Sequence, residues 1–95
     1  MSNDKSENIW NAVSCNDIEY MRKYYANGGI PNLELGHDIS LIMLALELEY
    51  YEMFELLKQN GERIFENEVK KYEQIMVAYL YEDEITKNVR RKNVI

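Results

Sequence analysis

Asn16-Asp17-Ile18-Glu19-Tyr20-Met21-Arg22-Lys23-Tyr24-Tyr25-Ala26-Asn27-Gly28-Gly29 decides the reading of this chain, because its pattern returns 33 residues later without a gap. Ile18-Glu19 is echoed by Tyr51-Glu52, and Asn27-Gly28 by Asn60-Gly61. Outward from this stretch, Ala12 recurs as Ala45 and as Ala78, the latter two inside Ile42-Met43-Leu44-Ala45 and Ile75-Met76-Val77-Ala78. A fixed period of about 20 to 50 residues marks a repeat architecture, in which each unit buries its apolar face only against its neighbours. Such a stack presents an extended binding surface, so the period predicts recognition in preference to catalysis.

The repeated segments resemble the ankyrin-repeat family, whose period is also about 33 residues. Asn16 to Gly29 is similar to the family's "G-H-L-E-I-V-x-x-L-L-x-x-G-A" stretch, and Ile30-Pro31-Asn32 stands where "D-P/V-N" follows. Ser40-Leu41-Ile42-Met43-Leu44-Ala45 occupies the place of "T-P-L-H-x-A"; the spacing is kept, whereas the Pro and His are not. The similarity runs from about Ile9 to Leu80. It implies an all-α, ankyrin-like solenoid of stacked helical pairs with one extended finger between repeats one and two. The whole of residues 1–95 then reads as one domain, with repeat one at about 7–33, repeat two at about 34–64 and a degenerate capping repeat at about 65–95.

Local signals agree. A first helix is expected over Asn8 to Ser14, a turn at Asn16-Asp17 with Asp as the capping residue, and a second helix over Ile18 to Ala26. Asn27-Gly28-Gly29 stops that helix, since Gly supplies the left-handed conformation a helix end commonly needs, and Pro31 cannot continue it. An extended finger follows over Ile30 to Ile39. Ser40 then caps a helix to about Leu48, and Tyr50 to Gln59 forms the next, ended by Asn60-Gly61. Beyond Gly61 the turn chemistry of a second finger is missing. Phe65, Val69, Tyr72, Ile75, Met76, Tyr79 and Leu80 instead follow helical spacings, which predicts one long helix from about Phe65 to Tyr81. Acidic Glu82-Asp83-Glu84 and basic Arg90-Arg91-Lys92 suit the two ends of a helix dipole, so Asp83 to Lys92 is expected to close the stack.

Leu, Ile, Val and Phe make up 25 of the 95 residues, enough for a core. The polar start and the lack of a long apolar run predict neither a signal peptide nor a membrane span. With a single Cys no internal disulfide is possible, which fits a reducing cytoplasm. Richness in Asn, Lys, Tyr and Ile fits an AT-rich microbial genome, bacterial or phage. The net charge of -6 is concentrated between Glu34 and Glu84, where 13 acids face 4 bases. A surface of this sign repels phosphate backbones and either steers a basic protein partner or serves solubility alone. No direct nucleic-acid or membrane partner is expected.

Catalytic and metal chemistry have little to stand on. His37 is the only His and Cys15 the only Cys, and neither has a neighbour at the spacing of a metal site or a nucleophile–base pair. No phosphate-binding glycine loop is present, so no cofactor is expected. The ankyrin resemblance instead implies partner-binding positions: Glu34, Gly36, His37 and Ile39 in the finger, and Ser14, Cys15, Glu47, Leu48, Leu80 and Tyr81 at the ends of the first helices. Leu48 and Tyr81 are either interface anchors or packing residues between repeats. The expected function is that of a non-enzymatic protein-binding module, a small acidic inhibitor or an immunity- or anti-defence-type protein that occludes its partner through a concave face. The alternative is a structural subunit that pairs with a second copy through its C-terminal helices.

Overall fold

The computed structural model describes residues 4–80. Four helices follow in order, α1 (Asp4–Ser14), α2 (Ile18–Ala26), α3 (Leu41–Glu47) and α4 (Tyr51–Gln59). A 3₁₀ turn at Glu66–Glu68 then leads into a fifth helix, α5, over residues 69–80. There is no strand among the described residues, which form an all-α fold.

The helix ends explain why the chain folds back where it does. At the end of α1, Asn16 adopts φ 58°, and the N–H groups of Asn16 and Asp17 donate to the carbonyls of Val13 (3.1 Å) and Ala12 (2.7 Å). This pair of bonds is the Schellman arrangement, which satisfies carbonyls the helix itself leaves open. The same bonds recur at the end of α3, from Glu49 (φ 61°) to Leu46 at 3.1 Å and from Tyr50 to Ala45 at 2.8 Å. The second helices end alike. Gly28 (φ 87°) and Gly29 bond Tyr25 and Tyr24, and Gly61 (φ 91°) and Glu62 bond Lys58 and Leu57. Each member of one set lies 33 residues from its counterpart in the other, so the sequence period is matched bond for bond in the backbone. The start of α2 is capped as expected, the Asp17 carboxylate accepting from the Tyr20 N–H at 3.1 Å.

The buried core follows the same offset. Ile9, Ala12, Val13 and Met21 are buried, and so are Ile42, Ala45, Leu46 and Phe54, their equivalents one period on. Helix α1 packs on α2 and α3, α3 packs on α4, and α2 packs on α4; first helices thus meet first helices and second meet second. Ala45 has no exposed surface. Ala78 does not repeat this packing, since it lies on the exposed side of α5.

Helix α5 closes the far side of α4. Tyr72 and Tyr79 both set their rings against Phe54, with centroids 6.5 and 6.3 Å away, and Tyr79 also meets Tyr51 at 4.9 Å. Ile75 and Met76 pack on the core, and the Lys71 ammonium pairs with Glu47 at the end of α3.

Two expected boundaries are corrected. The first helix starts at Asp4, not Asn8, because its opening turn is polar and periodicity of apolar residues does not register it. The long helix does not begin at Phe65. Phe65 is extended (φ -79°, ψ 157°), a 3₁₀ turn occupies Glu66–Glu68, and the α-helix starts at residue 69, because the Glu68 carboxylate folds back onto the Phe65 N–H. Residues 62–65 are the only non-helical ones between Gly61 and that turn, a short link compared with the first connection. Tyr81 and the closing helix expected over Asp83 to Lys92 lie outside the described residues.

Candidate interaction groove

The finger between α2 and α3 has no secondary structure to stiffen it, yet both of its ends are fixed by buried carboxylates. At its start, Asn32 adopts φ 63°, a left-handed conformation that Asn tolerates better than most residues. The Asn32 N–H donates to Glu62 Oε1 at 3.0 Å, its side-chain amide donates to the Gly61 carbonyl at 2.8 Å, and its side-chain oxygen accepts from the Arg63 N–H at 2.7 Å. The other oxygen of Glu62 accepts from the Tyr25 hydroxyl at 2.5 Å. Tyr24 adds a bond from its hydroxyl to the Ile30 carbonyl at 2.6 Å.

At the end of the finger, Ser40 caps α3, its Oγ accepting from the Met43 N–H at 3.3 Å. A capping box would complete this with an acid three residues on, but that position is Met43. Glu68 performs the task from elsewhere in the chain. Its carboxylate accepts from Ser40 N–H (2.9 Å), Ser40 Oγ (2.7 Å) and Phe65 N–H (2.7 Å). Burial costs an ionised carboxylate several kcal/mol unless it is fully hydrogen-bonded, and here three donors meet it.

Burial, then the hydrogen bond and charge of Glu62, push the Tyr25 hydroxyl far above the usual phenol range. Tyr24 is raised for similar reasons, burial first and the charge of Glu62 second. Both phenols therefore remain donors at any physiological pH.

Between the clamped finger and residues 62–65 lies an open groove of about 580 Å³. Leu33, Leu35, Ile39, Ile64 and Phe65 line it with apolar surface, and Glu34 and Arg63 bring charge to it. Leu33 and Phe65 are 38% and 42% exposed. The His37 ring stacks on Trp10 of α1, with centroids 3.6 Å apart and planes 12° from parallel, which pins the finger to the first helix.

Four of the ten sequence-predicted positions, Glu34, Gly36, His37 and Ile39, meet in this groove. His37 is not an isolated turn residue, since its face is covered by Trp10. Ser14 bonds the Asn11 carbonyl at the end of α1, and Cys15 is exposed beside it. Glu47 is engaged by Lys71, Leu48 is exposed as the residue ending α3, and Leu80 is exposed on α5. None of these five lines the groove, and Tyr81 lies outside the described residues. Glu62, Glu68, Asn32 and Trp10 were not singled out by the sequence. Among 17 acids the sequence does not distinguish these two buried ones, because apart from the Phe65 N–H bonded to Glu68 their partners are 28 to 37 residues away.

Among the described residues, no group of three or more His, Cys, Asp or Glu is placed to hold a metal ion, and no helix is long and apolar enough to cross a membrane. Set against known proteins, the chain matches no family model, no curated protein and no solved structure.

Proposed function

We propose that this chain is an ankyrin-like, non-enzymatic protein-binding module, a small acidic inhibitor or immunity- or anti-defence-type protein that occludes a partner with a basic surface. One observation carries the reading: two helical pairs repeat their terminating hydrogen bonds and their buried positions at a spacing of 33 residues, and a clamped finger projects between them. Rigid scaffolds that hold a loop in one conformation lower the ordering cost of association, which favours a binding role. The acidic surface suits a cationic partner by raising the encounter rate.

The test is photo-crosslinking in lysate of the native cell or host. A benzophenone side chain at position 33 or 48 should give a discrete adduct with one partner, whereas the same group at Glu52, exposed on α4, should not. Adducts from position 52 alone, or none from any site, would remove this reading. A second reading, pairing of two copies, is favoured by Val69, Val77 and Leu80, which α5 leaves 41%, 68% and 57% exposed. Light scattering separates the two: a tight dimer unaffected by Glu34→Lys supports self-assembly.

A further inference from the structure

Resting on the binding-module reading, we infer that the groove between the finger and residues 62–65 takes a short extended peptide of the partner, one that presents a bulky apolar side chain flanked by Lys or Arg. Main-chain chemistry selects the extended form. No hydrogen bond engages the backbone N–H or C=O of any residue from Leu33 to Ile39 among the described residues, although the N–H groups and side chains of Asn32 and Ser40 on either side are bonded. Exposed, unpaired backbone beside a groove is the setting in which an extended peptide gains affinity from main-chain bonds and specificity from side-chain pockets. A helical occupant has already satisfied its own backbone and gains nothing from these groups.

The groove's size and lining select the apolar residue. About 580 Å³ falls within the range of sites that enclose a few side chains, and Leu33 and Phe65 leave apolar surface open on opposite walls. The Glu62 and Glu68 clamps hold those walls before any ligand arrives, so little ordering is left for binding to accomplish. Charge selects the flanks. Glu34 lines the groove, and Asp38 and Glu66 adjoin its lining residues in the chain; all three are exposed and join no ion pair among the described residues, and Arg63 is the single cation of the lining. Three carboxylates against one cation favour a basic segment and disfavour a phosphorylated or acidic one.

The test pans the folded full-length chain against a display library of random peptides of about seven residues, followed by anisotropy measurements on synthetic copies of the enriched sequences. The expected result is enrichment of an apolar residue flanked by Lys or Arg, with affinity falling as salt rises. Leu33→Asp and Phe65→Asp should each weaken binding by about tenfold or more, Leu48→Asp should leave it unchanged, and Glu34→Lys should reduce the preference for basic flanks. Circular dichroism on each variant checks that the fold persists. Enrichment of acidic peptides, parent-like affinity in the Leu33→Asp and Phe65→Asp variants, or no enrichment at all overturns the inference. If no peptide is enriched while crosslinking from position 33 or 48 still traps a protein, the binding-module reading stands and only the peptide groove falls; failure of both removes both.

Discussion

Replacing Glu68 by Ala should unfasten the finger from the rest of the fold. The substitution removes the acceptor for Ser40 N–H, Ser40 Oγ and Phe65 N–H, and Ser40 is itself buried at 3% exposure, so water cannot readily substitute. Each hydrogen bond to a charged group contributes about 1.5 to 3 kcal/mol, and orphaned buried donors carry penalties of similar size. Because the three bonds share one carboxylate they are not additive, and a total of about 3 to 5 kcal/mol is expected, comparable to breaking a buried charged pair. A domain of this length has roughly 5 to 14 kcal/mol in all, so the loss is a large share. Glu68→Gln is the gentler variant. Its amide nitrogen must face one of the three donors, which forfeits one charge-assisted bond and about 1.5 to 3 kcal/mol. Urea unfolding followed by circular dichroism reads both, with Glu66→Gln, exposed nearby, as a control expected within about 0.5 kcal/mol of the parent. A double-mutant cycle with Ser40→Ala should show coupling of about 1 kcal/mol or more. A Glu68→Ala cost below about 1 kcal/mol, or no coupling to Ser40, would show that the carboxylate does not hold the finger.

Three further outcomes are expected. Ala45→Leu should destabilise by about 1 to 3 kcal/mol through overpacking, because Ala45 is fully buried, while Ala78→Leu on the exposed side of α5 should change the melting temperature little; equal effects would contradict the stacking of α3 in the core. Tyr25→Phe should cost about 1.5 to 3 kcal/mol at neutral pH by removing the donor to Glu62. Since the folded hydroxyl is raised above its ordinary value of 10.0, that contribution is complete below about pH 10 and is lost as pH rises further, so parent and variant should converge in alkaline unfolding. His37→Ala should uncover the face of the only Trp and shift its fluorescence emission, with a stability loss of about 0.5 to 1.5 kcal/mol; unchanged emission would mean the stack is not formed in solution.

The 33-residue echo in the sequence determined the two helical pairs, where their helices stop, and the repeated alanine of the core. This is because helix stops and buried small residues are local requirements that each repeat must restate: Asn27-Gly28 and Asn60-Gly61, or Ala12 and Ala45, are legible side by side. Part of the groove was legible too, since the resemblance to ankyrin repeats implies a finger whose Glu34, Gly36, His37 and Ile39 line it. Tertiary structure alone decided the rest. Ala78 matches the period in sequence but not in burial, because without a finger before it α5 approaches α4 through Tyr72 and Tyr79 and turns Ala78 outward. Glu62 and Glu68 read as two more acids in an acidic chain, and only the fold brings them under the finger and against Asn32 and Ser40. Trp10 and His37 likewise show no relation in sequence until the finger folds back across α1. A carboxylate's role depends on which donors surround it, and donors about 30 residues away become neighbours only when the chain has packed.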